Sequence, residues 1–296
     1  MKSRFISIAV IAGILFLFTG IGFCQEKISM NEWVEKVGQG TVNWSAGYIE
    51  AVGIGAPSDN SIGKANARPM ALRAAKVDAY RNLLEITKGV QVDSTTTVKD
   101  FTVESDVINS SVSGMVKGAQ VVKTEYMSDG TAEVTLRISL YGNGNLAKII
   151  MPSAIANPPA PPAPSIPEAP VPAVTAPAAP PAPVAYTGMV VDARGIQARP
   201  AMSPRVFDED GKEVYGSANV DREYAVQQGM SGYARDLTAA QSNQRVTANP
   251  VTVKALKTSG PGKSDLIISN ADAQQIRASA ENMTFMKKCR VMVVLD

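Results

Sequence analysis

Between Met151 and Ala185 the sequence turns abruptly to proline and alanine, and most of the chain's 19 prolines gather there. Proline fixes φ and removes a backbone donor, so such a run cannot enter a helix interior or a central strand and prefers extended polyproline II. The 296 residues must therefore fold on either side of it. The segment reads as a semi-rigid spacer with a reach on the order of 100 Å, holding two domains apart. Docking by proline-recognition modules is the sharper alternative, but those modules are chiefly intracellular. The resulting division is 1–24 signal peptide, 25–150 first α+β domain, 151–185 linker, and 186–296 a second, smaller α+β domain.

The amino terminus has the layout of a secretory leader: Lys2 and Arg4, an apolar run from Phe5 to Phe18, then Gly20 and Gly22. That run is too short for a permanent span, which needs about 20 residues. Export to the periplasm or the outer-membrane periphery of a Gram-negative bacterium follows. Cys24 is the candidate lipidation residue, but a lipoprotein signal asks for a small residue just before its cysteine, and Phe23 is bulky. Cleavage after Cys24 satisfies an ordinary signal peptidase better. Once Cys24 is removed, Cys289 stands alone in the strand-like run CRVMVVL, where a buried, inert thiol outweighs an intermolecular bridge or a nucleophile.

In the first domain the dominant signal is PMALRAAKVDAYRNLLEITK, Pro69 to Lys88. Leu72, Ala75, Ala79, Leu83 and Ile86 recur at steps of three and four, which places them on one face of a helix. Pro69 suits the first helical position, where its missing N–H is not needed, and Gly89 a left-handed C-terminal cap. A helix with so narrow and small-residued a stripe is expected to lie close on a sheet. Before it, Asn31 to Val37 reads as a short lead-in helix and Val42 to Ile54 as one strand. Gly53-Ile54-Gly55 invites a dinucleotide-binding reading, but the third glycine of the fingerprint falls at Ser58, so a turn needing small residues is preferred. After an extended Val90 to Phe101, a second helix is expected from about Val103 to Val112, capped by Thr102. Ala132, Val134, Leu136, Ile138 and Leu140 then alternate with polar residues. With Ala119 to Tyr126 and the turn Ser128-Asp129-Gly130 they predict an antiparallel hairpin.

The run ALRAAKVDAYRNLLEITKGVQVDSTTTVKDF and the following VESDVINSSVSGMVKGAQVVKTEYMSDGTAEVTLRISL resemble the domain of the twenty-kilodalton bacterial outer-membrane lipoprotein family. That family includes flagellar lipoproteins and the amino-terminal domain of flagellar assembly protein T. The shared features are the alanine-spaced helix ending AYRNLLE, the exit from Gly89 to Asp93, the strand entry at Gly118-Ala119 and the final alternating strand, within residues 65–141. The resemblance implies an envelope or appendage-associated structural domain without catalysis. Phe23, at the lipid site, departs from the pattern.

In the second domain, TGMVVDAR and SPRVFDEDGKEVYG read as strands, the latter folding back at Glu209-Asp210-Gly211. Asp208, Asp210 and Glu213 lack the full alternation of a calcium loop and read as an acidic hairpin turn. Gln227 to Val246 reads as loop with some helix, and Pro250 to Leu256 and Asp265 to Ser269 as strands. Ser269 and Asp272 resemble a capping box for one helix carrying Ala273, Ile276, Ala280 and Met283, before a closing strand from Cys289 to Leu295.

Chemistry is narrowed by composition. There is no histidine, so neither a Ser-His-Asp nor a Cys-His arrangement can form, nor a His-ligated metal site. A net charge of +2 without basic blocks gives no footprint for nucleic acid. We expect no catalytic, cofactor or metal residues and no small-molecule substrate. The expected role is a non-catalytic structural or assembly protein of the envelope, near the outer membrane or a flagellum-like appendage. The alternative is a periplasmic binding module for peptidoglycan or another envelope polymer. Oligomeric state is not readable.

Overall fold

The computed structural model describes residues 31–151, 185–278 and 280–296. Residues 1–30, where the expected leader and Cys24 fall, and residues 152–184 of the expected linker lie outside them.

The first unit is a five-stranded antiparallel sheet with one long helix across it, in strand order β1-β2-β3-β5-β4. Its strands are β1 (Val34–Val37), β2 (Gly40–Asn43), β3 (Tyr48–Gly55), β4 (Gln120–Tyr126) and β5 (Ala132–Ser139). Helix α1 (Ala67–Gly89) buries Ala71, Ala75, Ala79, Leu83 and Ile86. The fourfold step puts Ala71, not Leu72, on the buried line; Leu72 is only partly covered.

Small residues are needed here because the helix backbone comes very close to β3. A Cβ added at Gly53 would lie 2.1 Å from the Ala79 nitrogen and 2.4 Å from the Ala75 oxygen. One at Gly55 would lie 2.3 Å from both the Ala71 oxygen and the Ala75 nitrogen. The two glycines are therefore strand residues that admit a helix, not the turn expected from the sequence. The helix begins two residues before Pro69, the first position expected from the sequence; as third residue Pro69 still lies in the first turn, where no N–H is required, and the first helical bond runs from Met70 N–H to the Asn66 carbonyl. Gly89 ends the helix without a left-handed φ, and Val90 follows in extended conformation.

Other local expectations are corrected. Asn31 to Val37 contributes strand β1 rather than a helix. Val42 to Ile54 is two strands joined by a tight turn in which Gly47 takes φ +74°. The second helix is two: α2 (Val98–Glu104), opened by a capping box of Thr97 and Asp100, and α3 (Asp106–Lys117), capped by Ser105. Thr102 lies inside α2 rather than capping anything. The β4–β5 hairpin forms, and α4 (Leu146–Ile150) closes the unit.

The second unit is a seven-stranded mixed sheet in the order β8-β7-β11-β10-β6-β12-β9. Its strands are β6 (Gly188–Asp192), β7 (Val206–Phe207), β8 (Glu213–Tyr215), β9 (Gly232–Ala234), β10 (Pro250–Ser259), β11 (Asp265–Ile268) and β12 (Val291–Val294). β6, β10, β12 and β9 run parallel, and the central strands β6 and β12 are almost wholly buried, as parallel strands covered on both faces must be. β10 pairs with β6 through its first half and antiparallel with β11 through its second, changing course at an irregularity between Ala255 and Lys257. Helices α5 (Arg222–Gln228) and α6 (Leu237–Gln241) precede β10. The expected late helix is split into α7 (Asn270–Arg277), capped by Ser269, and α8 (Ala280–Lys287). No helix among the described residues is long and apolar enough to cross a membrane.

The two units are in contact, and their buried side chains form one continuous cluster. The irregular stretch after α1 supplies one seam: Met202 N–H donates to Gln91 O (3.1 Å), Ser203 N–H to Val92 O (2.7 Å), and Gly262 N–H to Ser94 O (2.7 Å). Ser94 Oγ donates to Asp265 Oδ2 at 2.6 Å, which also receives Arg205 Nη2 at 2.6 Å. A second seam joins the β2–β3 turn to β9: Ser45 Oγ donates to Tyr233 O (2.6 Å), and Trp44 meets the Tyr233 ring edge-on at 5.8 Å. Such an aromatic pair is worth about 0.5–1.5 kcal/mol beyond its buried area. Arg199 and Glu35 bridge the rim at 2.6 Å.

Candidate functional site

The polar centre of the molecule lies where the units meet. Arg245 donates through Nη1 to the carbonyls of Gly229 (3.1 Å) and Cys289 (2.9 Å), and through Nη2 to that of Gln228. Gln228 and Gly229 end α5, and Cys289 follows α8, so the guanidinium caps two helix C-termini whose dipoles favour a cation. No carboxylate pairs with it among the described residues. Burial lowers its pKa, yet an arginine remains charged. The neighbouring Tyr141 ring packs against Gly229, whose φ of +81° and lack of Cβ allow the contact. The Tyr141 hydroxyl is fully covered and has no hydrogen-bond partner among the described residues. Burial pushes its pKa well above the ordinary range.

Two clefts flank this arginine. One of about 370 Å³ is bordered by Asn31, Glu32, Ser45, Tyr233 and Arg245. The other, of about 260 Å³, is bordered by Gly47, Ser139, Tyr141, Gln228 and Arg245. Neither presents a nucleophile beside a base. Cys289 is buried, and desolvation pushes its thiol up to about 11, so it is protonated at neutral pH, the opposite of an activated cysteine. Burial likewise raises Tyr233 to about 12; its hydroxyl donates to Ala201 O and accepts from Ala201 N–H. These groups brace the fold.

Other residues singled out by sequence are placed as follows. Asp208 and Asp210 flank the β7–β8 hairpin turn, with Gly211 at φ +79°. Asp208 accepts from Arg277 Nη1 (2.7 Å) and Lys212 N–H (2.8 Å), and the arginine holds its carboxyl below the usual range. The acidic residues there tie α7 to the hairpin. The Arg245 clasp was not visible in the sequence, because its partners are backbone carbonyls 16, 17 and 44 residues away.

A different surface is exposed at the open end of the first sheet. Ile54 closes β3 at 59% exposure, Ile62 precedes α1 at 65%, and Met70, Tyr126 and Met127 are also exposed. Arg68 lies over the Tyr126 ring at 5.7 Å, and a Cβ on Gly130 would reach Pro57 Cγ at 3.6 Å, so the β3 exit, α1 start and β4–β5 turn converge. None of these apolar residues borders the two clefts.

The fold is thus that of a two-unit α+β body braced by a buried polar centre, with an apolar end on one unit. Residues 188–296, which begin with β6 and contain the whole second sheet, are similar to the family described as Treponema pallidum Tp0624, second domain. None of the curated proteins matches the chain.

Proposed function

We propose that this is an exported, non-catalytic cell-envelope protein with a structural or assembly role, engaging other proteins of the envelope or of a flagellum-like appendage. The carrying observation is the cluster of exposed apolar side chains at the open end of the first sheet. Exposed apolar side chains gathered at one end of a unit mark interaction sites, and these lie on three converging segments outside the clefts, Tyr126 on the sheet face that carries α1 and Ile54 on the other. The leader, the resemblance of residues 65–141 to envelope lipoproteins, and the proline-rich linker support the same reading. The test is photo-crosslinking in cells from position 62, with Lys254 on the other unit as control, after fractionation. Crosslinks to envelope proteins from position 62 alone are expected. A cytoplasmic protein, or equal labelling from both positions, would refute the reading.

A second reading, binding of peptidoglycan or another envelope polymer, is favoured by Arg245. Its Nε–H and one Nη2–H have no partner among the described residues, and it borders both clefts. Those donors suit a carboxylate, while the two helix C-termini beside them oppose an anion. Co-sedimentation with purified cell wall tests it; protein left in the supernatant rejects this second reading.

A further inference from the structure

We propose that β4 is an assembly edge along which two copies of this chain pair antiparallel, joining their five-stranded sheets into one of ten strands. The inference rests on the docking role given to this end of the first unit and names its partner as a second copy. β4 is the last strand of its sheet, bonded to β5 on one side. Every residue from Gln120 to Tyr126 is exposed. An edge strand offers a row of N–H and C=O groups to another strand, and proteins usually blunt such edges.

The sequence of β4 fits its own reverse. About Thr124, an antiparallel copy sets Lys123 opposite the partner's Glu125 and Glu125 opposite the partner's Lys123. It also sets Val122 opposite the partner's Tyr126, and Tyr126 opposite the partner's Val122. Opposite charges and apolar pairs directly across a ladder are the pairings that stabilise sheets. No mismatch arises from Lys123 to Glu125, while Val122 sits at the irregularity between Val121 and Lys123 where β4 shifts register against β5. Lys123, a common deterrent at edges, here already lies 2.9 Å from Glu125 of its own strand, so it is matched in charge rather than left as a barrier.

One observation within the monomer points the same way. Glu125 stands directly opposite Glu133 on β5, a like-charge pairing that the sheet disfavours. Both carboxylates raise the Lys123 pKa, Glu125 through a hydrogen bond and Glu133 through charge alone. A copy paired about Thr124 brings a second lysine to this acidic pair. Tyr126 and Thr124 share a face with Ala132 and Val134 of β5, the face on which α1 lies. A twofold axis perpendicular to the sheet keeps both long helices on that one side.

The test is sedimentation velocity on the purified mature chain, with Lys123→Glu, Glu125→Lys and an equimolar mixture of the two, each checked by circular dichroism. The unsubstituted chain is expected to be dimeric. Either single reversal should weaken dimerisation about tenfold, because two attractive cross-strand pairs become two repulsive ones. Mixing the two variants should restore association, since each then meets its complement. A chain that stays monomeric to millimolar concentration overturns the proposal. So does a dimer insensitive to both reversals, or one that mixing does not restore. The measurement is made on purified protein, so its failure is distinct from failure of the envelope assignment, which crosslinking in cells decides.

Discussion

Gly53 shows how much a single side chain can decide here. Replacing it with alanine puts a methyl group into the Ala79 backbone nitrogen, an obstruction with no flexible end to move. Overpacking of this sort costs typically 1–3 kcal/mol and more where backbone must shift, so Gly53→Ala should lower the urea midpoint strongly. Gly114→Ala, in α3 with open space around its Cβ, should be neutral or stabilise by about 0.5–1 kcal/mol. Equal effects of the two would contradict the close-packed helix. Cys289 gives a pH signature. In the unfolded chain its thiol ionises near 9.0, whereas burial holds the proton to about 11 in the fold. Its stabilising contribution is complete below pH 9 and is lost as pH rises through 11; a two-unit shift corresponds to roughly 2–3 kcal/mol. Tyr233, raised from 10.0 to about 12, adds to the loss at still higher pH. Urea midpoints from pH 8 to 11 should therefore fall, and Cys289→Ala should flatten the slope. The same thiol should resist a disulfide reagent at neutral pH until the protein unfolds.

At the scale of elements, α7 depends on its first turn: Ser269 Oγ accepts from Asp272 N–H at 3.1 Å and donates to the Asp272 carboxylate at 2.7 Å. Ser269→Ala should cost about 1 kcal/mol of stability, read from chemical denaturation. This cap was legible in the sequence, as were α1, the β4–β5 hairpin and the turn at Gly211, because each is set by neighbouring residues and a clear period. What escaped was interrupted by a single local feature. Trp44, Ala46 and Tyr48 alternate as a strand would, which hid the turn closed by Gly47. Ser105 caps a new helix inside a run that otherwise reads as one. In the Val34–Val37 stretch, four residues satisfy helix and strand patterns alike, and pairing with β2 decides. The proposed interaction edge was half visible: the strand could be read, but its place at the end of the sheet depends on the pairing of β3 with β5, some eighty residues apart in sequence.

For the whole molecule, the spacer reading of the linker implied independent bodies, whereas the described units share one buried cluster and several hydrogen-bonded seams. None of the seams could be foreseen from composition: Ser94 and Asp265 are 171 residues apart, and Ser45 and Tyr233 are 188 apart. Our central claim is that both units form one cooperative body, on which the proposed assembly edge is carried. The most direct measurement is to place a protease site within residues 152–184, cleave it, and follow the products by gel filtration and calorimetry. We expect the two fragments to elute together and to melt in one transition near that of the uncut chain. Fragments that separate and melt independently would contradict the claim.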